Sequence, residues 1–563
     1  MASNEEFNGN LKQKLEELFD ASLKLTVPDV PGVEPKIKTA VGKKGDYQCD
    51  NVMSLWPRIK GKSTHIEDGL ALGQAVVEKL PSSEMVESCS VAKPGFIDIA
   101  LSTKWIAKSI ENMLISGIDI WAPTLSVKRA VVDFSSPNIA KVMHVGHLRS
   151  TIIGDTIARM LEYSNVEVLR RNHVGDWGTQ FGMLIEYLFE KFPDSDSAGD
   201  ISIDDLQSGD PVYCKTWAKI CETSRNECAK VYQRLKVELE EKGESFYKPY
   251  IANMIEELKG LVEEDKGARV IFTKGYKTPL MLVKSDGGFT YATTDLAALW
   301  YRLNEEKAEW IIYVTDDGQA KHFETFFKVA RIAGWLPEND KTYPRVDHVK
   351  FGVVCGEDGK KFKTREANTV PLTDLLDEAK TRSKAALIKR AKEARDTKEW
   401  TPEELDKTAE AVGYGAAKYA DLKNNRLTAY TFSYEKMLED KGDTAVYLLY
   451  AHARISSIIR ESGKDIDELK KTGKLALDHA DERALGLHLL QFAETVKEAC
   501  TELLPNVLCK YLYKLSEHFN KFYLNCRVNG SAEETSRLLL CEATAIVMRK
   551  CFHLLGITPV YKM

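Results

Sequence analysis

The segment Val131-Val-Asp-Phe-Ser135-Ser-Pro-Asn-Ile-Ala140-Lys-Val-Met-His144-Val-Gly-His147-Leu-Arg-Ser150-Thr-Ile-Ile-Gly-Asp155 decides how the chain is read. Arg129 to Phe134 is rich in β-branched residues and predicts a strand. Ser135-Ser136-Pro137-Asn138 ends it, because proline fixes φ and has no backbone donor. From His147 onward Leu148, Ile152, Ile153, Ile157, Met160 and Leu161 recur at helical spacing, and Val166 to Leu169 reads as a returning strand. The unit is β-loop-α-β, with loop and helix meeting at His144-Val145-Gly146-His147. A helix start presents unpaired N–H groups and the positive end of the dipole, so it attracts phosphate. Gly146 lets backbone approach a nucleotide closely, and histidines three apart can both donate to its oxygens. The bland alternative is a helix start carrying two satisfied histidines.

Working outward, 563 residues exceed one hydrophobic core and predict about three or four domains. A composition 44% hydrophobic and 29% charged is that of a soluble globular protein. No apolar run reaches the roughly 20 residues that span a bilayer, so no membrane role is expected. The polar N-terminus, with Glu5 and Glu6, is unlike an export or transit signal and predicts a cytoplasmic protein. Eleven cysteines form no C-x-x-C pair, and Cys214, Cys221 and Cys228 make one helical stripe best read as small buried thiols. No metal site is predicted. A net charge of −6 neither supports nor excludes a nucleic-acid partner, which needs a local groove rather than a global balance.

The words around the tetrapeptide narrow the choice. Ser136-Pro-Asn-Ile-Ala-Lys141 before it and Asn172-His-Val-Gly-Asp-Trp-Gly178 after it closely resemble the arginyl-tRNA synthetases. His144-Val145-Gly146-His147 itself resembles the HIGH signature of class I aminoacyl-tRNA synthetases. The resemblance implies a Rossmann-type α/β catalytic domain over 126–372. It also implies an N-terminal α+β domain over 1–125 that grips the tRNA elbow, and a C-terminal all-α anticodon-binding bundle over 373–563. Trp121 to Thr124 would be the linker, and 192–211, rich in Asp, Ser and Gly, a surface insertion. Val231 to Ser245 is predicted to be helical, Arg269 to Lys284 hairpin-like, and Ile311 to Thr315 and Val346 to Cys355 strands.

In Lys284 to Ala297, Tyr291 is placed at a strand end and Asp295 in the first turn of a helix running to about Lys307. An acid there ordinarily just complements the dipole. By resemblance it is instead the carboxylate that pairs with the substrate guanidinium, with Tyr291 packing beside it. Ser136, Pro137, Asn138, His147 and Gln319 would complete the arginine site, with Glu244 a second carboxylate. ATP would meet His144, Gly146, His147, Lys363 and Thr364.

The loop Gly356 to Arg365 holds two glycines and four basic residues and takes the place of the class I KMSKS signature. Phe362-Lys363-Thr364-Arg365 lacks that signature's first lysine, and in many relatives a lysine just before the HIGH tetrapeptide compensates, here Lys141. His144, His147, Lys141 and Lys363 are therefore the catalytic candidates.

Beyond Leu372 the chain reads as helical, with Thr373 to Asp396 long and mainly solvated. Tyr447, Tyr450 and Arg454 share a helix face, and such rings stack the bases of single-stranded loops. With Tyr523, Met563 and, in the N-terminal domain, Phe96, they are the tRNA-binding candidates; core packing is the competing role for each.

The implied reaction joins L-arginine to tRNA(Arg), using ATP with Mg2+ and no structural metal, in a monomer. No inserted editing domain is evident, and a pocket that hydrogen-bonds its ligand rejects analogues lacking the group by about 10⁴–10⁵ without one. Two rivals stay open: a nucleotidyltransferase acting on a small substrate, and a non-catalytic tRNA-binding protein.

Overall fold

The computed structural model describes residues 10–40, 45–60, 66–191, 211–276, 278–356, 358–359, 370–393 and 400–563. The chain opens with α1 (Leu11–Thr26), whose face Leu11, Leu15, Phe19 and Leu23 is fully buried. It lies by a four-stranded antiparallel sheet of β1 (Ile37–Thr39), β2 (Tyr47–Cys49), β3 (Val86–Ala92) and β4 (Phe96–Leu101), in the order β1-β2-β4-β3. Helices α2 (Asn51–Ile59), α3 (Gly69–Glu78) and α4 (Thr103–Ser116) complete this part, and Trp121 after it is buried rather than a solvated joint.

The second part is built on five parallel strands: β5 (Arg129–Asp133), β6 (Glu167–Asn172), β7 (Glu240–Glu241), and, after an excursion, two more. Between them lie α5 (Val145–Tyr163), α6 (Thr179–Lys191), α7 (Pro211–Leu235) and α8 (Lys248–Glu257). The excursion is a three-stranded antiparallel sheet of β8 (Glu263–Asp265), β9 (Ala268–Ile271) and β10 (Leu280–Val283). Helix α9 (Tyr291–Asn304) then leads to β11 (Trp310–Tyr313), and α10 (Ala320–Ile332) to β12 (Arg345–His348).

The strand order is β12-β11-β5-β6-β7. Ala130, Val131 and Val132 of β5, and Ile311 and Ile312 of β11, are fully buried, as parallel strands covered on both faces must be. From β5 the chain winds outward through β6 and β7, then returns to β5's other side at β11. The winding reverses between β5 and β11, and the crevice past their C-terminal ends is where such sheets bind ligands.

Several expectations are corrected. Helix α5 starts at Val145 with His144 as its N-cap, two residues earlier than the periodicity implied. The helix placed over Val231 to Ser245 stops at Leu235. Lys236 takes a left-handed φ of +54°, and the Lys418 Nζ donates to the buried Leu235 carbonyl at 2.6 Å. The strand placed over Val346 to Cys355 is two: β12 stays in the sheet, while β13 (Val354–Cys355) leaves it to pair with β14 (Tyr430–Thr431). The insertion 192–210 lies outside the described residues.

The remainder is helical: α11 (Leu372–Glu393), α12 (Pro402–Leu422), α13 (Tyr434–Met437), α14 (Ala445–Glu461), α15 (Ile466–Thr472), α16 (Ala480–Leu490), α17 (Phe492–Glu502), α18 (Pro505–Asn525) and α19 (Glu534–Leu554). Helix α11 buries one stripe, Leu372, Leu375, Leu376, Ala379, Ser383 and Leu387, and leaves its other residues exposed or half-buried. Its backbone comes so near α12 that a Cβ on Gly413 would meet the Ala379 carbonyl at 2.8 Å. The N-terminal part packs on this bundle. Arg483 clasps Asp46 with both terminal nitrogens at 2.9 and 2.7 Å, and the Tyr47 hydroxyl donates to Glu494 at 2.9 Å. Among the described residues no helix is long and apolar enough to cross a membrane.

Candidate active site

The first turn of α5 is capped by its own histidines. The Gly146 N–H donates to His144 Nδ1 at 3.0 Å, and the His144 N–H donates to His147 Nδ1 at 3.1 Å. A ring nitrogen that accepts carries no proton, so both imidazoles hold theirs on Nε2. Burial first, then His144 and Lys141, push the His147 imidazolium down to about 4, and the ring is neutral at pH 7. Gly146 has a second reason to be glycine: a Cβ would lie 2.9 Å from the His144 ring that folds over it.

The loop before the cap is strained and tightly held. Ser135 and Ser136 take φ of +70° and +44°, which costs about 1–3 kcal/mol per residue. The Ser135 N–H donates to Ser150 Oγ at 2.9 Å and the Ser136 N–H to Asn172 Oδ1 at 3.0 Å. Ser136 Oγ donates to Asp133 at 2.8 Å and accepts from the His173 N–H at 3.0 Å, while Tyr232 of α7 reaches Ser135 Oγ at 2.8 Å. The bend tucks Pro137 in and leaves Asn138 exposed, bridged to Gly175; Lys141 is exposed three residues before His144.

Across the crevice, Thr290 caps α9, so Tyr291 opens the helix and Asp295 falls in its second turn, not the first as expected. At that depth the carboxylate does not serve the dipole. His322 Nε2 donates to its Oδ2 at 2.6 Å, and His173 Nε2 lies 3.3 Å from Oδ1. Burial opposes ionisation, but the bonds from His173 and His322 prevail and hold the carboxyl well below the ordinary range. Tyr291, 66% exposed, stands with its ring centroid 4.8 Å from His322. Glu244 lies in a short turn whose N–H donates to the Val174 carbonyl at 3.0 Å. Its carboxyl is pushed up to about 7 chiefly by burial, with His173 pulling down and Asp295 and Asp176 pushing further up. Behind them the fully buried Arg302 binds Asp133 at 2.7 Å. Gln319 is exposed at the start of α10, one turn before His322. The sequence reading missed His322; the available signal was its place three residues after Gln319, on the same face of a helix start.

The loop expected to supply Lys363 and Thr364 lies outside the described residues, but its two ends do not. It leaves from β13 and returns at Pro371, which bridges to His144, and the Leu372 N–H donates to the Met143 carbonyl at 2.8 Å. Upstream, the Gly352 carbonyl accepts from Arg149 at 2.7 Å, and the same buried guanidinium pairs with Asp421 of α12 at 3.0 Å.

This geometry has close counterparts. The family profile described as tRNA synthetases class I (R), catalytic domain, matches residues 109–207 and 197–434. The profile for the arginyl tRNA synthetase N terminal domain matches 6–101, and that for the DALR anticodon binding domain 448–563. The chain is 72% identical over 593 residues to the cytoplasmic arginine–tRNA ligase of Arabidopsis thaliana, covering 100% of both. It is 74% identical over 594 residues to that plant's chloroplastic/mitochondrial arginine–tRNA ligase, covering 100% of this chain and 92% of the relative. The crystal structure of arginyl-tRNA synthetase from Plasmodium falciparum superposes with a TM-score of 0.86 at 34% identity over 99% of each chain. The chain belongs to the arginyl-tRNA synthetases. It is an arginine–tRNA ligase: ATP activates L-arginine to arginyl-adenylate with loss of pyrophosphate, and the arginyl group passes to the 3′ end of tRNA(Arg), releasing AMP. Neither rival reading survives.

The tRNA-binding candidates of the synthetase divide into unlike settings. Arg454 of α14 lies over the rings of Tyr450 at 5.0 Å and Tyr523 at 5.9 Å, and both tyrosines are 39% exposed. Tyr447 is partly buried, its ring 5.9 Å from Tyr513 and its hydroxyl bonded by Asn520. Met563 packs against the core, and Phe96 begins β4 with the Lys38 Nζ 5.8 Å from its ring.

Proposed function

We propose that arginine is read by its guanidinium pairing with Asp295 while Tyr291 packs alongside, with Glu244, Asn138 and Gln319 completing the pocket. The observation that carries this reading is the ionised, partly exposed Asp295, four residues along α9 from Tyr291, with His322 touching both. ATP enters as its magnesium complex, and its phosphates accept from His144 and His147 Nε2–H at the α5 start, where Gly146 keeps the backbone close. Ser136 and Pro137 shape the wall between the two substrates, and Thr364 accompanies Lys363 on the phosphate side. The arginine carboxylate oxygen attacks the α-phosphorus in line, the bond to the β-phosphate oxygen breaks, and pyrophosphate leaves with the electron pair. No protein nucleophile takes part, so catalysis is positioning plus neutralisation of developing charge by Lys141 and Lys363.

The division at 125 and 372 assigns the N-terminal part, with Phe96, to the tRNA elbow and the helical part to the anticodon. There Tyr450, Tyr523 and Arg454 offer a splayed base two rings and a cation, with Tyr447 and Met563 as the supporting wall. The enzyme works as a monomer in the cytosol, as its relative named cytoplasmic suggests, and needs tRNA even for activation.

ATP–pyrophosphate exchange with each amino acid, with and without tRNA, tests the reading; exchange driven by another amino acid sinks it. For the anticodon, Tyr450→Ala should raise the tRNA KM by about 1–3 kcal/mol, and the effect should vanish on an anticodon-loop mutant tRNA. An undiminished defect on that tRNA would return Tyr450 to a packing role.

A further inference from the structure

The carboxylate that reads a guanidinium faces a constraint its surroundings must solve. It has to be held in one orientation, because a planar fork binds a planar acid in a fixed geometry. It also has to keep its charge, because that charge is what the substrate meets. A lysine or arginine would hold it and at the same time cancel it. An imidazole N–H donates a hydrogen bond without requiring a positive charge.

His322 stands where such a donor is needed. It sits in the first turn of α10, and its Nε2 donates to Asp295 Oδ2 at 2.6 Å across a separation of 27 residues. The ring has no slack: Tyr291 lies 4.8 Å from it on one side, and Phe326 and Phe323 at 5.1 and 5.6 Å close the others. One imidazole thus touches two of the proposed arginine contacts, on α9, and shares a helix start with another, Gln319. Asp295 still has lone pairs to accept a guanidinium, since His322 and His173 take one oxygen each. Apart from these two histidines, no other ion pair to Asp295 exists among the described residues.

We propose that His322 is a positioning residue for arginine recognition: it orients the Asp295 carboxylate and the Tyr291 ring without neutralising the charge that selects the substrate. This rests on the reading of Asp295 as the guanidinium partner, and the test separates the two.

Four full-length variants are compared by steady-state aminoacylation, with the KM for arginine and for ATP measured separately. Asp295→Asn removes the selecting charge and should raise the arginine KM by about a hundredfold. His322→Leu keeps bulk but loses the donor and should raise it about tenfold, with the ATP KM unchanged. His322→Gln restores a neutral donor and should recover the arginine KM to within about threefold of wild type. His322→Lys restores a donor carrying a fixed charge, and should be worse than His322→Leu. A merely structural histidine would move both KM values together and follow side-chain volume. If Asp295→Asn binds arginine normally, the recognition reading and this inference both fall. If Asp295→Asn is defective while His322→Leu is not, the pocket stands and the positioning role is overturned. A lysine that substitutes as well as glutamine overturns the charge argument, and should His322→Leu not fold, the glutamine–lysine contrast decides alone.

Discussion

Two pairs of histidines in the candidate site use the same ring in opposite senses. His144 and His147 accept backbone N–H groups at Nδ1, which leaves each proton on Nε2 at the start of a helix. His173 and His322 turn Nε2 toward a carboxylate, and hold an acid in place. In the proposed mechanism the first pair would meet phosphate, and the second would condition the acid that meets a cation. What a histidine does here follows from what its ring nitrogens are bonded to, not from its place in a motif. The caps are local, spanning two and three residues, whereas the His322 bond spans 27.

The largest test of the contrast is Asp295→Ala. It takes a partner from the guanidinium and strands two imidazoles, so arginine kcat/KM should fall by roughly 4 kcal/mol, about a thousandfold. The dissociation constant for tRNA should not change, because the Tyr450 and Tyr523 cluster lies in the helical part. Wild-type arginine kinetics in this variant would leave Asp295 as a brace between α9 and α10.

On the proposed phosphate wall the corresponding charge would come from lysines. Lys141 is exposed beside His147, and the loop bearing Lys363 returns against His144 at Pro371. Both should meet the charge that grows on the departing pyrophosphate. Lys141→Ala and Lys363→Ala should each lower kcat by on the order of a hundredfold, with far less effect on the ATP KM. In a double-mutant cycle the losses should be non-additive, since one developing charge couples them. Strict additivity, or normal kcat in Lys141→Ala, would make Lys141 an ordinary solvated lysine.

The same divide between local and distant partners explains what could be read from residue order. The strand–loop–helix unit was legible because its signals lie within a few residues: a β-branched run, Ser-Ser-Pro, and apolar spacing along α5. Even so, the helix was started two residues late, because a histidine is an unusual cap and its role is visible only in the bonds it makes. Tyr291 and Asp295 were recognisable as words, yet the contacts that separate Asp295 from a dipole partner come from β6 and α10. The end of α7 at Leu235 depends on Lys418, 183 residues away. The break between β12 and β13 depends on β14, which the sequence places after α12. Local chemistry sets how elements begin; packing sets where they stop and whom they touch.

The smallest effect should come from pH, and it separates the two walls. Glu244 shares the acid wall, and burial pushes its carboxyl up to about 7. Below that pH the pocket presents Asp295 alone, and above it a second negative charge, so the arginine KM should fall as pH rises from 6 to 8. Burial disfavours the charged form of His173, but the bond to Asp295 prevails and raises its pKa above the ordinary histidine value. His147 cannot contribute, because its imidazolium is confined to about 4 and the ring is neutral throughout this range. With ATP saturating, the change in arginine KM should be about tenfold at most, since one partly screened charge is worth about one pKa unit of coupling. Glu244→Gln should flatten the slope. An arginine KM that stays level from pH 6 to 8 in the wild type would mean that Glu244 remains protonated when substrate arrives, leaving Asp295 as the single charge that selects arginine.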